Sequence, residues 1–188
     1  MNKKNILIVA GILLLVVATV LILAFRPHDK PEIKNDNIIK KNSMKLDSPA
    51  FKNNEYIPTK FTCDGLNINP QLNISEVPSG TKSLALIMDD PDSPTGTWIH
   101  WLVWNIDQNA EEIAEDSVPA GAEQGATSAK NNNYNGPCPG TGIHHYNFKL
   151  YALDTKLTLD TGATKTDLEN AMDGHVLTQA TLIGLYSR

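Results

Sequence analysis

Residues 81–106 read TKSLALIMDDPDSPTGTWIHWLVWNI, and they give the clearest indication of the fold. The stretch holds two apolar runs, 82–89 and 98–106, and between them a short segment rich in proline, aspartate and glycine. Apolar runs of this length that are bounded by turn-forming residues are typical of β-strands. The stretch therefore predicts two consecutive strands joined by a polar loop.

Four further segments repeat this rhythm of short apolar runs and turns. The additional candidate strands are 44–47, 59–62, 144–154 and 176–186. Proline, glycine and asparagine occur densely in the connections between them, as in domains built from many short strands. The pattern predicts an all-β domain with a minor helix, in the form of an antiparallel Greek-key β-sandwich.

One helix is predicted near the C-terminal end of the chain. Thr166 and Glu169 have the spacing of a capping box, in which Thr166 is the N-cap and Glu169 reaches back to it. Leu168 and Met172 supply an apolar side, and Gly174 is well placed to end the helix.

Polar side chains stand at the ends of several apolar strand faces. Residues two apart in a strand lie on the same face. On this basis Asp90, His100, His144 and Tyr146 each lie at the end of an apolar face. They predict a polar pocket at the rim of the β core. His145 falls on the opposite, polar face and is predicted to point away from this pocket.

The three tryptophans lie within seven residues of one predicted strand. Alternation places Trp98 and Trp104 on the face of His100, where we expect them to pack in the core. Trp101 lies on the opposite face and is expected to pack elsewhere.

A second motif, residues 136–146, reads GPCPGTGIHHY. Together with residues 89–101 it resembles the phosphatidylethanolamine-binding protein family, in particular its bacterial and archaeal Raf-kinase-inhibitor-like branch. The resemblance extends over roughly residues 44–188, through similar segments at 48–51, 61–65, 77–83 and 172–175. Residues 125–134 lack the Asn-Asp/Ser-Phe-Gly pattern that is more usual there, so the resemblance does not predict the details of this loop.

The resemblance implies a β-sandwich with a small pocket that accepts anions. Carried over residue by residue, the ligand-binding positions are Asp90, Asp92, His100, Pro139, His144 and Tyr146. Protonated imidazoles, the tyrosine hydroxyl and the amides of the glycine-rich loop can hold a phosphate or a carboxylate through charge-assisted hydrogen bonds. Asp90 would orient an imidazole. Asp92 would accept the ammonium of a phosphorylethanolamine head group, or alternatively cap its own turn. We expect phosphate to bind more tightly below about pH 6.5, where histidine is ordinarily protonated.

No metal or cofactor is expected. An EF-hand loop that started at Asp90 would need glutamate at its twelfth position, where Trp101 stands, and the histidines lack the spacing of a known zinc motif. A catalytic nucleophile is missing too, because there is no Gly-x-Ser-x-Gly motif and Cys138 is the only candidate. We therefore expect a binding protein and not an enzyme. The alternative is a hydrolase that uses His144 and Asp90.

The first 43 residues are predicted to lie outside the folded domain, which spans 44–188. Residues 6–25 form an unbroken apolar run, long enough to cross a bilayer as one helix, after a short tail at 1–5 that carries two lysines. Residues 26–43 are polar and predict a flexible tether. We expect a single-pass membrane protein with an uncleaved signal anchor and an extracytoplasmic domain. A cleaved signal peptide is the alternative.

The chain has two cysteines, Cys63 and Cys138. A domain outside the cytoplasm can keep a disulfide, and the resemblance puts both cysteines near the pocket. Our hypothesis is a disulfide that holds the pocket loop. The alternative is two partly buried free thiols.

The net charge of −5 and the dispersed basic residues argue against a nucleic-acid partner. The expected ligand is a small anionic or phosphorylated molecule. A kinase or a protease is a further expected partner, since members of the family are also known as inhibitors of such enzymes.

Overall fold

Two β-sheets and one short helix make up residues 44–188, the part of the chain that the computed structural model describes. The predicted tail at 1–5, membrane segment at 6–25 and tether at 26–43 lie outside these residues. Within 44–188, no helix has the length and apolarity needed to cross a bilayer.

Nine strands occur in the described residues, and most neighbours run antiparallel. In chain order they are β1 (Lys45–Asp47), β2 (Glu55–Tyr56), β3 (Leu72–Ser75), β4 (Ser83–Asp90), β5 (Trp98–Ile106), β6 (Glu112–Ile113), β7 (Glu123–Gln124), β8 (Ile143–Leu153) and β9 (Val176–Ser187). The smaller sheet has the order β1-β3-β6, and the larger has the order β2-β9-β8-β4-β5-β7. The pair β2–β9 is parallel. The prediction of a mostly-β fold with a minor helix is confirmed.

The strand predicted over 59–62 is wrong. Thr59–Phe61 forms a single turn of 3-10 helix that starts after Pro58, whose φ is −58°. The amide of Phe61 donates to the Pro58 carbonyl at 3.0 Å, and that of Thr62 donates to Thr59 at 3.0 Å. These local hydrogen bonds close the turn, so the apolar side chain of Phe61 reaches the core from a turn and not from a strand.

The main core lies between the two sheets. Its fully buried members come from both of them and include Leu72, Ile113, Leu84, Leu86, Phe148 and Leu150. Leu84, Leu86 and Met88 of β4 and Tyr146, Phe148 and Leu150 of β8 belong to this core, as alternation predicted. The polar rim of the same face carries the candidate site.

A second core covers the other face of the larger sheet. Here the helix α1 (Lys165–Met172) packs Leu168 and Met172 against apolar side chains of β4 and β5. The predicted capping box is wrong by two residues, because Thr164 is the N-cap and Asp167 is its partner. Thr164 Oγ1 accepts from the amide of Asp167, whose carboxylate accepts from the amide of Thr164 at 2.9 Å. Thr164 and Asp167 thus have the same spacing of three residues as the predicted pair, and they form the capping box one half-turn earlier in the chain.

A bulge in β5 changes which face its residues occupy. Asp89 pairs with Ile99 and Met88 pairs with Trp101, so His100 is an extra residue with no counterpart in β4. The extra residue lets both His100 and Trp101 lie on the side of the sheet that carries Met88. Strict alternation, which put His100 and Trp101 on opposite faces, was therefore wrong for this strand.

The three tryptophans have three different environments. Trp101 packs in the core between the sheets and Trp104 packs in the second core. Trp98 was predicted to be a core residue, but it is 36% exposed and lines a surface cavity.

Candidate functional site

A cavity of about 440 Å³ opens where β4, β5 and β8 meet the loop that contains the second motif. Five of the six predicted ligand-binding residues line it, namely Asp90, His100, Pro139, His144 and Tyr146. Pockets of this size commonly hold a small molecule in proteins. The folded domain therefore brings residues from three distant segments into one concave site. Four of them, all except Pro139, are the residues that strand alternation placed at the ends of apolar faces.

Asp90 and His144 form a buried pair at the floor of this cavity. His144 Nδ1 lies 2.7 Å from Asp90 Oδ2, and Asp90 is only 4% exposed. The other carboxylate oxygen, Oδ1, accepts the amide of Asp92 at 2.8 Å. Asp90 therefore holds the imidazole by one nitrogen. No described residue bonds His144 Nε2, which stays available to a ligand.

His100 is held differently, by a backbone carbonyl. Its Nδ1 lies 2.7 Å from the carbonyl oxygen of Asn135. A carbonyl can only accept, so Nδ1 must carry the hydrogen. Burial lowers the pKa of His100, and this outweighs the opposing effects of the Asn135 carbonyl and of Asp90. At neutral pH His100 is therefore an uncharged imidazole, and the expected protonated donor, which was one or both of the imidazoles, is not His100 at that pH.

Tyr146 lies between the two histidines. Its ring is 5.1 Å from that of His100, edge to face, and 6.4 Å from that of His144, stacked. The side chain is fully buried, and its hydroxyl has no hydrogen-bond partner among the described residues, although the amide of Cys138 faces it. Burial, and secondly the charge of Asp90, raise the pKa of Tyr146. The hydroxyl therefore remains a neutral donor without a partner.

A disulfide joins Cys63 to Cys138 in the wall of the cavity, with 5.5 Å between their Cα atoms. The predicted bridge is thus present in the structure. The amide of Cys63 donates to the Pro137 carbonyl at 3.1 Å, and the amide of Gly136 donates to Asn67 Oδ1 at 2.7 Å. The loop that bears the second motif is therefore held to the segment around residue 65 by one covalent and two polar links.

Asn135 is a functional residue that sequence reasoning missed. Its carbonyl fixes His100, and its side-chain amide donates to Asn131 Oδ1 at 2.8 Å and to Thr127 Oγ1 at 3.1 Å. These residues belong to the irregular segment that precedes the second motif. The run of asparagines at 131–133 was the available signal, since asparagine commonly stabilises irregular backbone by local hydrogen bonds.

Asp92 is the one predicted ligand residue that does not line the cavity. Its Oδ2 accepts both the amide and Nδ1 of His145, at 2.8 and 2.7 Å. His145 lies outside the cavity, as alternation predicted. The hydrogen bonds from His145 lower the pKa of the Asp92 carboxyl group. In this structure Asp92 connects the loop after β4 to the start of β8.

We expect Asp92→Asn to lower the free energy of unfolding slightly at pH 7, by on the order of 0.5 kcal/mol, because the pair is exposed. The pKa of this carboxyl group is lower in the folded state than its ordinary value of 3.8, so its stabilisation is present above that value. It is lost as the pH falls through the lower, folded pKa. Urea unfolding of both proteins at neutral pH and near pH 2 tests this. Asp154→Asn, which breaks the exposed pair with His175, is the matched control. A deficit that persists unchanged in acid would contradict the assignment.

Comparison with known proteins agrees with this architecture. Residues 47–187 match the family model described as phosphatidylethanolamine-binding protein. The chain is 47% identical over 156 residues to a UPF0098 protein of Pyrococcus horikoshii, which covers 79% of this chain and 78% of the relative. It is 47% identical over 150 residues to a UPF0098 protein of Methanothermobacter thermautotrophicus, which covers 77% of this chain and 99% of the relative.

Two solved structures are similar over the same region. A phosphatidylethanolamine-binding protein homologue of Chlamydia trachomatis has a TM-score of 0.76 and 42% identity, over 78% of this chain and 99% of the homologue. Escherichia coli YbcL, described as a member of the mammalian family, has a TM-score of 0.73 and 30% identity, with the same coverage. This chain therefore belongs to the phosphatidylethanolamine-binding protein family and carries a domain of its UPF0098 group.

Proposed function

We propose that the cavity binds a small phosphate-bearing molecule and that the protein acts by binding and not by catalysis. One observation carries the proposal: the Tyr146 hydroxyl is buried beside the cavity, and its hydrogen has no acceptor among the described residues. A buried donor without a partner costs free energy, so such groups are rare and call for an explanation. An anionic oxygen bound between the two histidines would satisfy it, and such binding requires a small shift of the side chains that now enclose the hydroxyl.

The hydrogen-bond donors of the site fit a phosphate oxygen. An imidazolium at His144 would donate to Asp90 on one side and would present Nε2–H to the ligand on the other. Buried hydrogen bonds in which one partner is ionised are about twice as strong as neutral ones. The name of the family, which refers to a phospholipid, supports a ligand that bears phosphate.

The disulfide also favours binding over catalysis. Cys138 was the candidate nucleophile of the alternative hydrolase, and its sulfur is bonded to Cys63. The pair of Asp90 and His144 could still act as a general base. Turnover of a phosphoester is therefore measured together with binding.

Two further parts of the proposal concern location and partners. We propose that residues 6–25 anchor the chain in a membrane with the domain outside the cytoplasm, an arrangement compatible with a disulfide. We also propose that a protein partner, such as a kinase or a protease, contacts the rim of the cavity, where Trp98 exposes a third of its surface. Tyrosine and tryptophan are enriched in such contacts.

Calorimetric titration of the full-length protein with phosphate and with phosphorylethanolamine tests the proposed ligand class. We expect saturable binding of both ligands at neutral pH, through the hydrogen-bond donors that line the cavity. His144→Ala should weaken it about tenfold or more, as expected for a lost charge-assisted hydrogen bond.

His175→Ala provides the matched control, because His175 pairs with Asp154 and does not line the cavity. We expect its affinities to equal those of the wild type. Absence of binding at millimolar ligand would refute the proposed site. Turnover of a phosphoester that is lost in His144→Ala would favour the hydrolase.

A further inference from the structure

We propose that His100 makes the cavity selective for phosphomonoesters, whose phosphate can carry a proton, over phosphodiesters such as those in intact phospholipids. This inference rests on the proposed phosphate site and specifies its ligand more closely. It follows from the arrangement of hydrogen-bond donors and acceptors around the cavity, where Nε2 of His100 offers a lone pair.

The tautomer of His100 is set by the backbone. Because Nδ1 donates to the Asn135 carbonyl at 2.7 Å, the neutral ring has its lone pair on Nε2. The opposite tautomer is unfavourable, because it would place the lone pair of Nδ1 2.7 Å from the carbonyl oxygen, and two acceptors repel each other. The backbone amide of Asn135 donates to the His100 carbonyl at 3.0 Å, and its side chain is held by Asn131 and Thr127, so the Asn135 backbone is fixed beside His100.

His100 Nε2 is unpartnered and accessible from the cavity. No described residue bonds it, and it is not among the fully enclosed polar atoms that lack a partner, so some of its surface is open. His100 is only 4% exposed as a whole, and it lines the cavity. The opening is therefore confined to the side from which a ligand would approach.

The groups around His100 keep this acceptor role. The carboxylates of Asp90 and Asp89 favour a positive charge on the ring, whereas burial and His144 disfavour it. Tyr146, which packs against the ring edge to face, carries no charge. Burial is the largest of these effects and lowers the pKa of His100, so at neutral pH Nε2 keeps its lone pair instead of a second hydrogen.

A bound phosphate must then present one kind of oxygen to the donors of the cavity and another kind to the acceptor, His100 Nε2. The Tyr146 hydroxyl, and His144 when it is protonated, donate to unprotonated oxygens. His100 Nε2 needs a P–OH group that donates to it. A phosphomonoester monoanion has such a group, whereas a phosphodiester has none and would place an anionic oxygen against a lone pair. A site that accepts a hydrogen bond from a ligand O–H group binds analogues without that group weakly, because the buried acceptor of the protein is then left unpaired.

Methyl phosphate and dimethyl phosphate differ in the P–OH group that His100 would need. At pH 6.5, where the lowered pKa leaves most of His100 uncharged, dimethyl phosphate is a monoanion, and about a quarter of methyl phosphate is the monoanion that carries a P–OH group, since its second pKa is about 6. The remaining difference in charge between the two ligands is the same for the His100→Phe variant described below. We expect calorimetry on the full-length protein to show methyl phosphate binding about tenfold or more tightly. Equal affinities, or tighter binding of dimethyl phosphate, would overturn the selectivity while leaving the phosphate site intact. Absence of binding by both would overturn the phosphate site and the selectivity together.

His100→Phe tests the role of this residue directly. Phenylalanine fills a similar volume without an acceptor, so the preference for methyl phosphate should fall to about threefold or less, the size of a weak polar effect. His175→Phe is the matched control and should keep the preference. Retention of the full preference in His100→Phe would assign the selectivity elsewhere.

Nitrogen-15 NMR of the histidine rings gives a result that does not depend on any variant. We expect His100 in the free protein to carry hydrogen on Nδ1 only. Addition of methyl phosphate should move the Nε2 resonance in the direction of an accepted hydrogen bond, and dimethyl phosphate should leave it in place. A hydrogen on Nε2 at neutral pH would overturn the proposal.

Discussion

Replacing both Cys63 and Cys138 by serine will lower the free energy of unfolding by about 4 kcal/mol. The bridge joins residues 75 positions apart, and a cross-link that closes a loop of this length removes much of the entropy of the unfolded chain. Urea unfolding of the wild type and of the double variant, without reductant, measures the difference. The disulfide also anchors the wall of the cavity, so phosphate affinity should fall as well.

Reductant provides the control for this prediction. Both cysteines are exposed, so a thiol reagent can reach the bridge. Reduced wild type should approach the stability of the double variant, which should itself be insensitive to reductant. Rapid labelling of two thiols in the native, non-reduced protein would show that the bridge is not formed in solution.

Alanine at Gly136 is expected to weaken phosphate binding about tenfold and to destabilise the fold by about 1–3 kcal/mol, the usual cost of overpacking. A Cβ atom there would lie 2.5 Å from the Phe61 carbonyl oxygen and 2.8 Å from both Thr62 Cα and Asn67 Oδ1. The first two of these atoms belong to the backbone and cannot rotate aside. The loop would have to move away from the segment to which the disulfide and the Asn67 side chain hold it.

Gly140→Ala is the matched control, because it lies in the same loop and its added Cβ would meet no heavy atom within 4 Å. Calorimetry with phosphate, together with urea unfolding, compares the two variants. We expect Gly140→Ala to resemble the wild type in both measurements. If the two variants behave alike, close packing at Gly136 does not control the shape of the cavity.

The local pattern of residues predicted most of the larger sheet and much of the site. Residues 82–89 and 98–106 were assigned correctly because long apolar runs between turn formers have few alternatives to a buried strand. Alternation also placed His144 and Tyr146 correctly, since β8 runs without a bulge through this region. It failed at His100, because a bulge depends on the partner strand and leaves no mark in the periodicity of its own strand.

Short or locally ambiguous segments were predicted less well. β3 was missed because four residues carry little periodic signal, and the segment at 59–62 was misassigned because Pro58 starts a turn. Trp98 was placed in the core by its apolar character. Only the packing of the loops around β5 leaves it at the mouth of the cavity.

The fold class, the family resemblance and five of the residues that meet in the cavity could all be predicted from the sequence, because strand periodicity and long motifs are properties of neighbouring residues. The contacts that these residues make became visible only in the folded domain. The tertiary structure paired Asp92 with His145 outside the cavity, gave the Nδ1 hydrogen of His100 to the Asn135 carbonyl, and left the Tyr146 hydroxyl without a partner. Hydrogen bonds between segments depend on distances of a few tenths of an ångström, and those distances exist only once the two sheets and their loops have packed together.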